Sequence, residues 1–161
     1  MAKDKTKKLT ERIENRKVYH DYFVHEKLEV GLQLKGTEVK SLRHGNASLA
    51  EAFAQVDGKT MQLWLHQMDI GPYNQASPEH QHEAKRPRKL LAHRREIENL
   101  LLQSSKMGMT LVPLALYFNE KGIAKIELGI ASGKGRQDKR EDIKKKEAER
   151  GMKRMLSRKR L

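Results

Sequence analysis

The order of apolar and polar residues along the chain predicts a body built mainly from β-strands. In one run every second residue is apolar, at Leu28, Val30, Leu32 and Leu34. A two-residue period is typical of a strand with one buried face. The same period recurs at Ala124, Ile126, Leu128 and Ile130. Further strands are predicted at 18–24, 48–56, 61–66 and 111–118.

Two short signals refine these strands. Asp57-Gly58 predicts a hairpin turn between the strands at 48–56 and 61–66. Pro113 lies within the strand at 111–118, and because proline lacks a backbone N–H, it indicates an edge or a β-bulge there.

Two helices are predicted between the strands. A short one begins at Thr37 and ends before Gly45, with Val39 and Leu42 on its inner face. A longer one runs from Lys89 to about Lys106, with an apolar stripe formed by Leu90, Ile97, Leu100 and Leu101. Hairpin-joined strands with inserted helices are best closed as a barrel, because closure removes exposed edges. The predicted fold is therefore mainly β with helices: an OB-fold-like closed barrel of about six strands with a short and a long helix.

The apolar content falls sharply after Ile130. Residues 133–136 are expected to form a flexible link, and 139–158 contain good helix formers but few apolar side chains to hold a helix against a core. We therefore expect a basic C-terminal tail that is disordered in the absence of a partner. The predicted division is a flexible basic N-terminus at 1–14, an OB-fold body at 15–130 and the tail at 131–161.

The charge balance indicates what kind of partner the protein binds. The chain has 34 Lys and Arg against 21 Asp and Glu, a net charge of +13, which indicates a polyanionic partner, most often RNA or DNA. The tail alone holds 13 basic and 5 acidic residues. No cysteine is present, which excludes disulfides, a thiol nucleophile and a Cys-based zinc site. No apolar run approaches membrane-span length and no secretory signal is evident, so the expected location is the cytoplasm.

Several clusters could carry chemistry. The basic run Arg86, Arg88 and Lys89, followed by Arg94-Arg95, could contact phosphates or be a solvated face, and the net charge favours nucleic acid. Three aromatic residues could stack on bases or belong to the core, namely Tyr19, Tyr22 and Trp64, with the core favoured for Tyr22.

Metal and acid–base sites are less well supported. His80 and His82 have no second ligand pair at a recognisable spacing, so a metal site is not expected. His20, Glu38 and His44 could be imagined as acid–base groups acting on RNA, but they match no catalytic signature. Three functions remain in order of preference: an RNA-binding adaptor, a ribosomal or translation-factor-like structural RNA-binding protein, and an RNA-acting enzyme. Composition does not separate the first two.

A series of ordered motifs matches one known family. The motifs are Asn15-Arg16-Lys17, His20-Asp21-Tyr22-Phe23, Gly36-Thr37-Glu38-Val39-Lys40-Ser41-Leu42-Arg43, Arg86-Pro87-Arg88-Lys89-Leu90-Leu91, Leu111-Val112-Pro113-Leu114, Lys125-Ile126-Glu127-Leu128-Gly129 and Asp138-Lys139-Arg140-Glu141-Asp142-Ile143-Lys144. On these motifs the chain resembles the SmpB (SsrA-binding protein) family over roughly residues 15 to 150.

The resemblance implies a non-enzymatic adaptor without a cofactor. Its OB-fold would bind the tRNA-like domain of transfer-messenger RNA (tmRNA), and its tail would engage small-subunit rRNA in the vacant decoding centre and mRNA channel of a stalled ribosome. Delivery with elongation factor Tu and GTP, ribosome rescue and tagging of the incomplete peptide are also implied. The tmRNA positions implied by the family are Asn15, His20, Glu29, Glu38, Lys40, Arg43 and Leu91, to which the basic run adds Arg86, Arg88 and Lys89.

The tail carries the second implied site. The matching ribosome-binding positions are Gly133, Lys134, Asp138, Lys139 and Arg140. The chain departs from the family pattern at two places, with Gly135 where a second Lys is usual and Gln137 where an aromatic residue or His is usual. Arg136 could restore the charge lost at Gly135, whereas Gln137 cannot stack as a ring does, a difference of about 1–3 kcal/mol per base if stacking is used.

Overall fold

The computed structural model describes residues 12–158, in which four α-helices are interspersed among nine strands. The strands are β1 (Ile13–Glu14), β2 (Tyr22–Leu32), β3 (Ala47–Ser48), β4 (Phe53–Asp57), β5 (Gln62–His66), β6 (Asp69–Ile70), β7 (Arg88–Leu91), β8 (Met109–Phe118) and β9 (Ala124–Gly133). The α-helices are α1 (Arg16–Asp21), α2 (Gly36–Arg43), α3 (Arg94–Ser104) and α4 (Arg136–Arg158). A single 3-10 turn occupies Pro78–His80.

Six of these strands close into an antiparallel barrel. The order is β8-β4-β5-β7-β2-β9, and β9 pairs back with β8 to complete the ring. The short β1 adds to β8, while β3 and β6 form a separate pair. The mainly β fold with an OB-fold-like six-stranded barrel is confirmed. A register shift in β8 between Pro113 and Ala115 also confirms the bulge that Pro113 indicated.

The barrel interior holds the main hydrophobic core. Val30 and Leu32 of β2 and the even-numbered residues Ala124 to Ile130 of β9 are buried, as their alternation predicted. Helices α2 and α3 add to the same core, α2 through Leu42 and α3 through Ile97 and Leu100. A second, smaller cluster lies beneath α1, where Val18 packs on Val112, Leu114 and Ala131. Because β8 is covered on both faces, it reads as a nearly continuous apolar run rather than an alternating one.

Three predicted element boundaries are wrong. Residues 18–21 belong to α1, because packing of Val18 on the second cluster overrides the strand propensity of this aromatic-rich segment. The strand predicted at 48–56 is two strands, β3 and β4, separated by a turn. The predicted long helix begins at Arg94 rather than Lys89, because Leu90 and Arg88 alternate into the barrel on strand β7.

The tail expectation also needs correction. Residues 136–158 form the helix α4 rather than a disordered segment, and β9 continues to Gly133, past the predicted body boundary at 130. Two ion pairs hold the start of the helix, Lys139 with Asp21 and Lys134 with Asp142. These two ion pairs hold the start of α4, although the helix has few apolar side chains that could pack against the barrel. The three-part division of the chain stays a prediction, and residues 1–11 of its N-terminal part lie outside the described residues.

Two findings bear on the class of protein. Within 12–158, no helix is long and apolar enough to cross a membrane. Over the same span, no three acidic or His side chains are grouped so that they could hold a metal ion.

Candidate nucleic-acid interface

Glu38 lies at the centre of a buried ion-pair network beneath the first turn of α2. Its carboxylate accepts hydrogen bonds from Arg86 Nε at 2.7 Å, Arg86 Nη2 at 2.6 Å and Arg88 Nε at 3.0 Å. The backbone N–H of Lys35 donates to it at 2.7 Å, which caps the helix. Burial alone would raise the pKa of Glu38, but these hydrogen bonds and the two guanidinium charges outweigh it, so the pKa is lowered. Glu38 is thus a carboxylate that fixes α2 to the segment before β7.

Arg88 extends this network to Met68, just before β6, and to the loop between β6 and β7. Its guanidinium is fully buried and also donates to the carbonyl oxygens of Met68 at 2.6 Å and Ala84 at 2.8 Å. The same loop is tied to α2 from the other side, since Ser41 Oγ donates to the Gly71 carbonyl at 2.5 Å. The network therefore sets the position of α2 and of the loop together.

Three of the residues expected to bind RNA lie inside the protein. Glu38 and Arg88 are fully buried, and Asn15 is 3% exposed. The Asn15 amide donates to the carbonyl oxygens of Leu49 at 2.7 Å and Pro113 at 3.2 Å, joining the start of α1 to the barrel. In this conformation the three side chains donate or accept hydrogen bonds within the fold, while the Asn15 Oδ1 has no partner among the described residues. Direct contact of these residues with RNA stays a prediction.

The exposed cations of α2 are arranged as predicted. Lys40 and Arg43 point outward, while Leu42 is fully buried. The Lys40 ammonium lies 5.3 Å from the centre of the Tyr73 ring, and the Arg43 guanidinium 5.9 Å from that of Phe118. His44 stacks on the other side of this surface, 6.2 Å from Tyr73 between ring centres. We call Lys40, Arg43, His44 and Tyr73 the α2 surface.

A groove beside the α2 surface contains Leu91. The groove has a volume of about 610 Å³ and is lined by Gly31, Leu91, Asn119, Glu120, Lys121, Ile123 and Lys125. Leu91 and Ile123 are 52% and 51% exposed, which is unusual for apolar side chains facing each other across a groove. Gly31 permits this shape, because a Cβ there would lie 3.2 Å from that of Leu91. We call this feature the Leu91 groove.

Glu29 stands at the rim of the Leu91 groove, two residues before Gly31 on β2. It accepts a hydrogen bond from the Tyr117 hydroxyl and pairs with Lys125 at 3.5 Å. The hydrogen bond to Glu29 raises the pKa of Tyr117 to about 12. Glu29 is therefore linked to the Leu91 groove through Lys125, which lines it. The sequence did not point to Ile123, although it is an apolar residue that falls outside the alternation of β9.

His20 lies in a second cluster, where α1 meets the start of the tail. Its Nδ1 is 2.9 Å from an Asp21 oxygen that Lys139 Nζ also contacts at 2.9 Å. The hydrogen bond from Lys139, followed by that from His20, lowers the pKa of Asp21 to about 2. We call Tyr19, His20, Asp21, Lys134 and Lys139 the α1–α4 junction. It joins a residue predicted to bind tmRNA with two predicted to bind the ribosome.

Lys134 is the most enclosed member of this junction. Its side chain is 8% exposed and its ammonium lies 4.7 Å from the centre of the Phe23 ring. It donates to the Tyr19 carbonyl at 2.9 Å and to Asp142 at 2.5 Å. Lys134 therefore connects β2, α1 and α4 at one point.

Of the other predicted ribosome-binding residues in α4, one caps the helix and three are exposed on its first turns. Asp138 caps α4 by accepting from the Gly135 N–H at 3.1 Å. Arg136, Gln137 and Arg140 are exposed on the first turns of the helix. Gly135 thus has a local role as the residue before the helix, where its N–H meets Asp138.

The basic run before α3 is divided by the alternation of β7. Arg88 points into the barrel, whereas Lys89 lies on the outer face beside Trp64. Arg86 is 20% exposed; its Nε and Nη2 donate to Glu38 and its Nη1 donates to the Pro87 carbonyl. Of these three, Lys89 is the cation most able to meet an external anion.

Comparison with known proteins identifies relatives along nearly the whole chain. The family model described as SmpB protein matches residues 12–158. An SsrA-binding protein of Carboxydothermus hydrogenoformans is 51% identical over 143 residues, covering 89% of this chain and 93% of its own. An SsrA-binding protein of Geobacillus kaustophilus is 48% identical over 141 residues, covering 88% of each.

A solved structure shares the fold as well as the sequence. It is described as "tmRNA-SmpB: a journey to the center of the bacterial ribosome" and superposes with a TM-score of 0.66 at 43% identity. The match covers 82% of this chain and 94% of that one.

Proposed function

Because the chain belongs to the SmpB protein family, we propose that it is an adaptor that binds the tRNA-like domain of tmRNA. In this proposal it delivers tmRNA, together with elongation factor Tu and GTP, to stalled ribosomes in the cytoplasm. There α4 and the residues before it occupy the vacant decoding centre and mRNA channel. The protein acts by binding and not by catalysis, so an RNA incubated with it should remain intact.

The observation that carries the proposal is the continuity between the α2 surface and the Leu91 groove. Arg43 covers the ring of Phe118, and Phe118 leads directly into the turn whose residues form one wall of the groove. Exposed cations beside an apolar groove can meet phosphates and an unstacked base at the same time. A net charge of +13 supports the same partner.

Binding to the isolated tRNA-like domain is the first test. A gel-shift titration at several salt concentrations should show tight binding that weakens steeply with salt, because Lys and Arg contacts release counterions. Ordinary tRNA should compete poorly with the tRNA-like domain for the protein when both are added in the same excess. Equal affinity for the tRNA-like domain and for unrelated RNA at moderate salt would contradict the proposal.

The α2 surface can be tested by charge reversal. The double variant K40E/R43E should lose about tenfold or more in affinity and reduce the salt slope by about 2, one for each lost phosphate contact. The comparison variant is R94E/R95E, which reverses two exposed charges on α3 that do not line the Leu91 groove and whose contact with phosphate the sequence left open. Thermal denaturation should give nearly the same midpoint for both variants. If the α3 variant loses as much affinity as the α2 variant, binding is not localised as proposed.

The tail can be tested by truncation after Gly133 rather than after Ile130. Ala131 is fully buried in the second cluster, so a cut at 130 would damage the barrel as well as remove the tail. The 1–133 protein should bind the tRNA-like domain with nearly the affinity of the full chain, yet fail to support peptide tagging on stalled ribosomes. Tagging by the truncated protein would exclude the proposed role of α4.

A further inference from the structure

The outer face of β4, β5 and β7 carries a row of side chains in which only Lys89 belongs to the expected RNA-binding residues. Register places Gln55 beside Trp64 and Trp64 beside Lys89, so these three side chains share one face. Their neighbours along the strands, Leu63 and Leu65, are fully buried in the barrel. Trp64 is thus an outward-facing aromatic residue between an amide and a cation.

A concave surface surrounds this row. A groove of about 670 Å³ is lined by Gln55, Val56, Asp57, Gly58, Lys59, Trp64, His66 and Pro87. Its volume is within the range of sites that hold small organic ligands. Phe53 and His66 extend the aromatic surface along the same face, stacked with ring centres 5.2 Å apart and planes inclined by 22°.

The charges around the groove favour an anion-bearing ligand. Lys89 flanks Trp64 on β7, and Lys59 lies on the hairpin turn at the groove's rim. Asp57 is the acidic residue in the groove lining, and its two oxygens accept from the Lys59 N–H and the Thr60 hydroxyl. Flat rings flanked by cations and a side-chain amide are the combination that binds a nucleobase, its phosphates and its hydrogen-bonding edge.

We propose that this face, which we call the Trp64 face, binds an unpaired RNA nucleotide whose base stacks on Trp64. Lys89 and Lys59 contact the adjacent phosphates, and the Gln55 amide contacts the edge of the base. The inference rests on the proposed RNA-binding function and extends its surface from Lys89 across β5 to β4. It adds Trp64, His66 and Gln55 to the RNA-contacting residues.

The single tryptophan of the chain makes the proposal directly measurable. Intrinsic fluorescence of the full-length protein should be quenched in a saturable way by a short unstructured oligoadenylate at low salt. The affinity of a fluorescein-labelled oligoadenylate, measured by anisotropy, should fall about fivefold or more in W64L, since one base–aromatic stack is lost. The conservative variant W64F should retain most of the affinity, because it keeps an aromatic face.

Two controls separate stacking from damage to the fold. Leu102, 69% exposed on α3, gives a matched surface variant, L102A, that should bind the oligonucleotide as the parent does. Thermal denaturation of W64L and W64F should give similar midpoints. If the fluorescence of Trp64 is unchanged at saturating oligonucleotide, or if W64L binds as tightly as W64F, the Trp64 face is not a base-binding site.

The source of the nucleotide can be assigned in the same assay. If the tRNA-like domain displaces the labelled oligoadenylate and quenches Trp64, tmRNA supplies the base; if both bind together, another RNA does, and either result supports the site. Quenching by oligoadenylate without tight binding to the tRNA-like domain would refute the proposed function and keep this inference. Tight binding to that domain, with W64L binding every RNA as tightly as the parent, would support the proposed function and refute this inference.

Discussion

Replacement of Glu38 by Gln gives the sharpest test of how the α2 surface is held. The substitution keeps the shape of the side chain but removes the charge that faces Arg86 and Arg88. Arg88 is fully buried, so its positive charge would lose its ion pair with Glu38 while its guanidinium still donates to backbone carbonyls. Breaking a buried pair in this way costs about 3–5 kcal/mol. We expect about 3 kcal/mol, because the carbonyls still accept from Arg88.

Urea denaturation at neutral pH measures this loss. For a chain of this size a slope of about 2 kcal/mol per molar urea converts 3 kcal/mol into a midpoint about 1.5 M lower. The control is E98Q, which removes an exposed pair between Arg94 and Glu98 at 3.2 Å and should cost less than about 0.5 kcal/mol. If E38Q is no less stable than E98Q, the buried network does not support α2 as inferred.

The same variant also separates a structural role from direct RNA contact. Under conditions where E38Q is still folded, its affinity for the tRNA-like domain should fall less than that of K40E/R43E, because α2 loses one tie but keeps its exposed cations. A large loss of affinity at unchanged stability would show that Glu38 itself touches RNA. The pH dependence has a defined sign: the pKa of Glu38 is lowered by folding, so its contribution is present above the unfolded value and is lost as pH falls through the folded one. The stability difference between E38Q and the parent should therefore shrink at acid pH.

Three further outcomes are expected. L42A should lower the free energy of unfolding by about 2–5 kcal/mol, because Leu42 is fully buried, whereas L102A should leave the thermal midpoint nearly unchanged. In spectrophotometric titration E29Q should bring the pKa of Tyr117 down from about 12 towards 10, and no change would exclude the hydrogen bond between them. D21N should increase amide hydrogen exchange at the start of α4, since Lys139 loses its partner, and exchange equal to that of the parent would show that the contact does not hold the helix.

Alternation predicted the barrel because it reports directly on burial. The runs at 28–34 and 124–130 each place one set of side chains inside, whereas the pairing of β2 with β9 is visible only in the structure. The short helix α2 was equally well marked, with Leu42 inside, the cations outside and Gly45 at a φ of +73° just past its end. These features depend on residues close in sequence, which is why local patterns were enough.

The errors came from contacts between distant residues. Arg88 reads as one of several surface arginines, and only the alternation of β7 together with Glu38, fifty positions away, explains its burial. The helix α4 has little apolar content, so its anchoring by Lys134 and Lys139 could not be inferred from composition. The pairing of Glu29 with Tyr117 likewise joins residues 88 positions apart. Such long-range polar contacts leave no periodic signal in the sequence.

Because α4 is held near its start at the α1–α4 junction, a small rotation there becomes a large displacement at its far end. The helix α4 has 23 residues, which at 1.5 Å per residue makes it about 35 Å long. Near the start of the helix Lys139 pairs with Asp21 and Asp142 pairs with Lys134, while residues 143–155 are exposed. A tilt of about 10° at this anchor would move the far end of such a rod by about 6 Å, roughly one helical turn. An RNA that draws His20 or Asp21 aside would therefore produce a small rotation near the barrel and a much larger displacement at the tip.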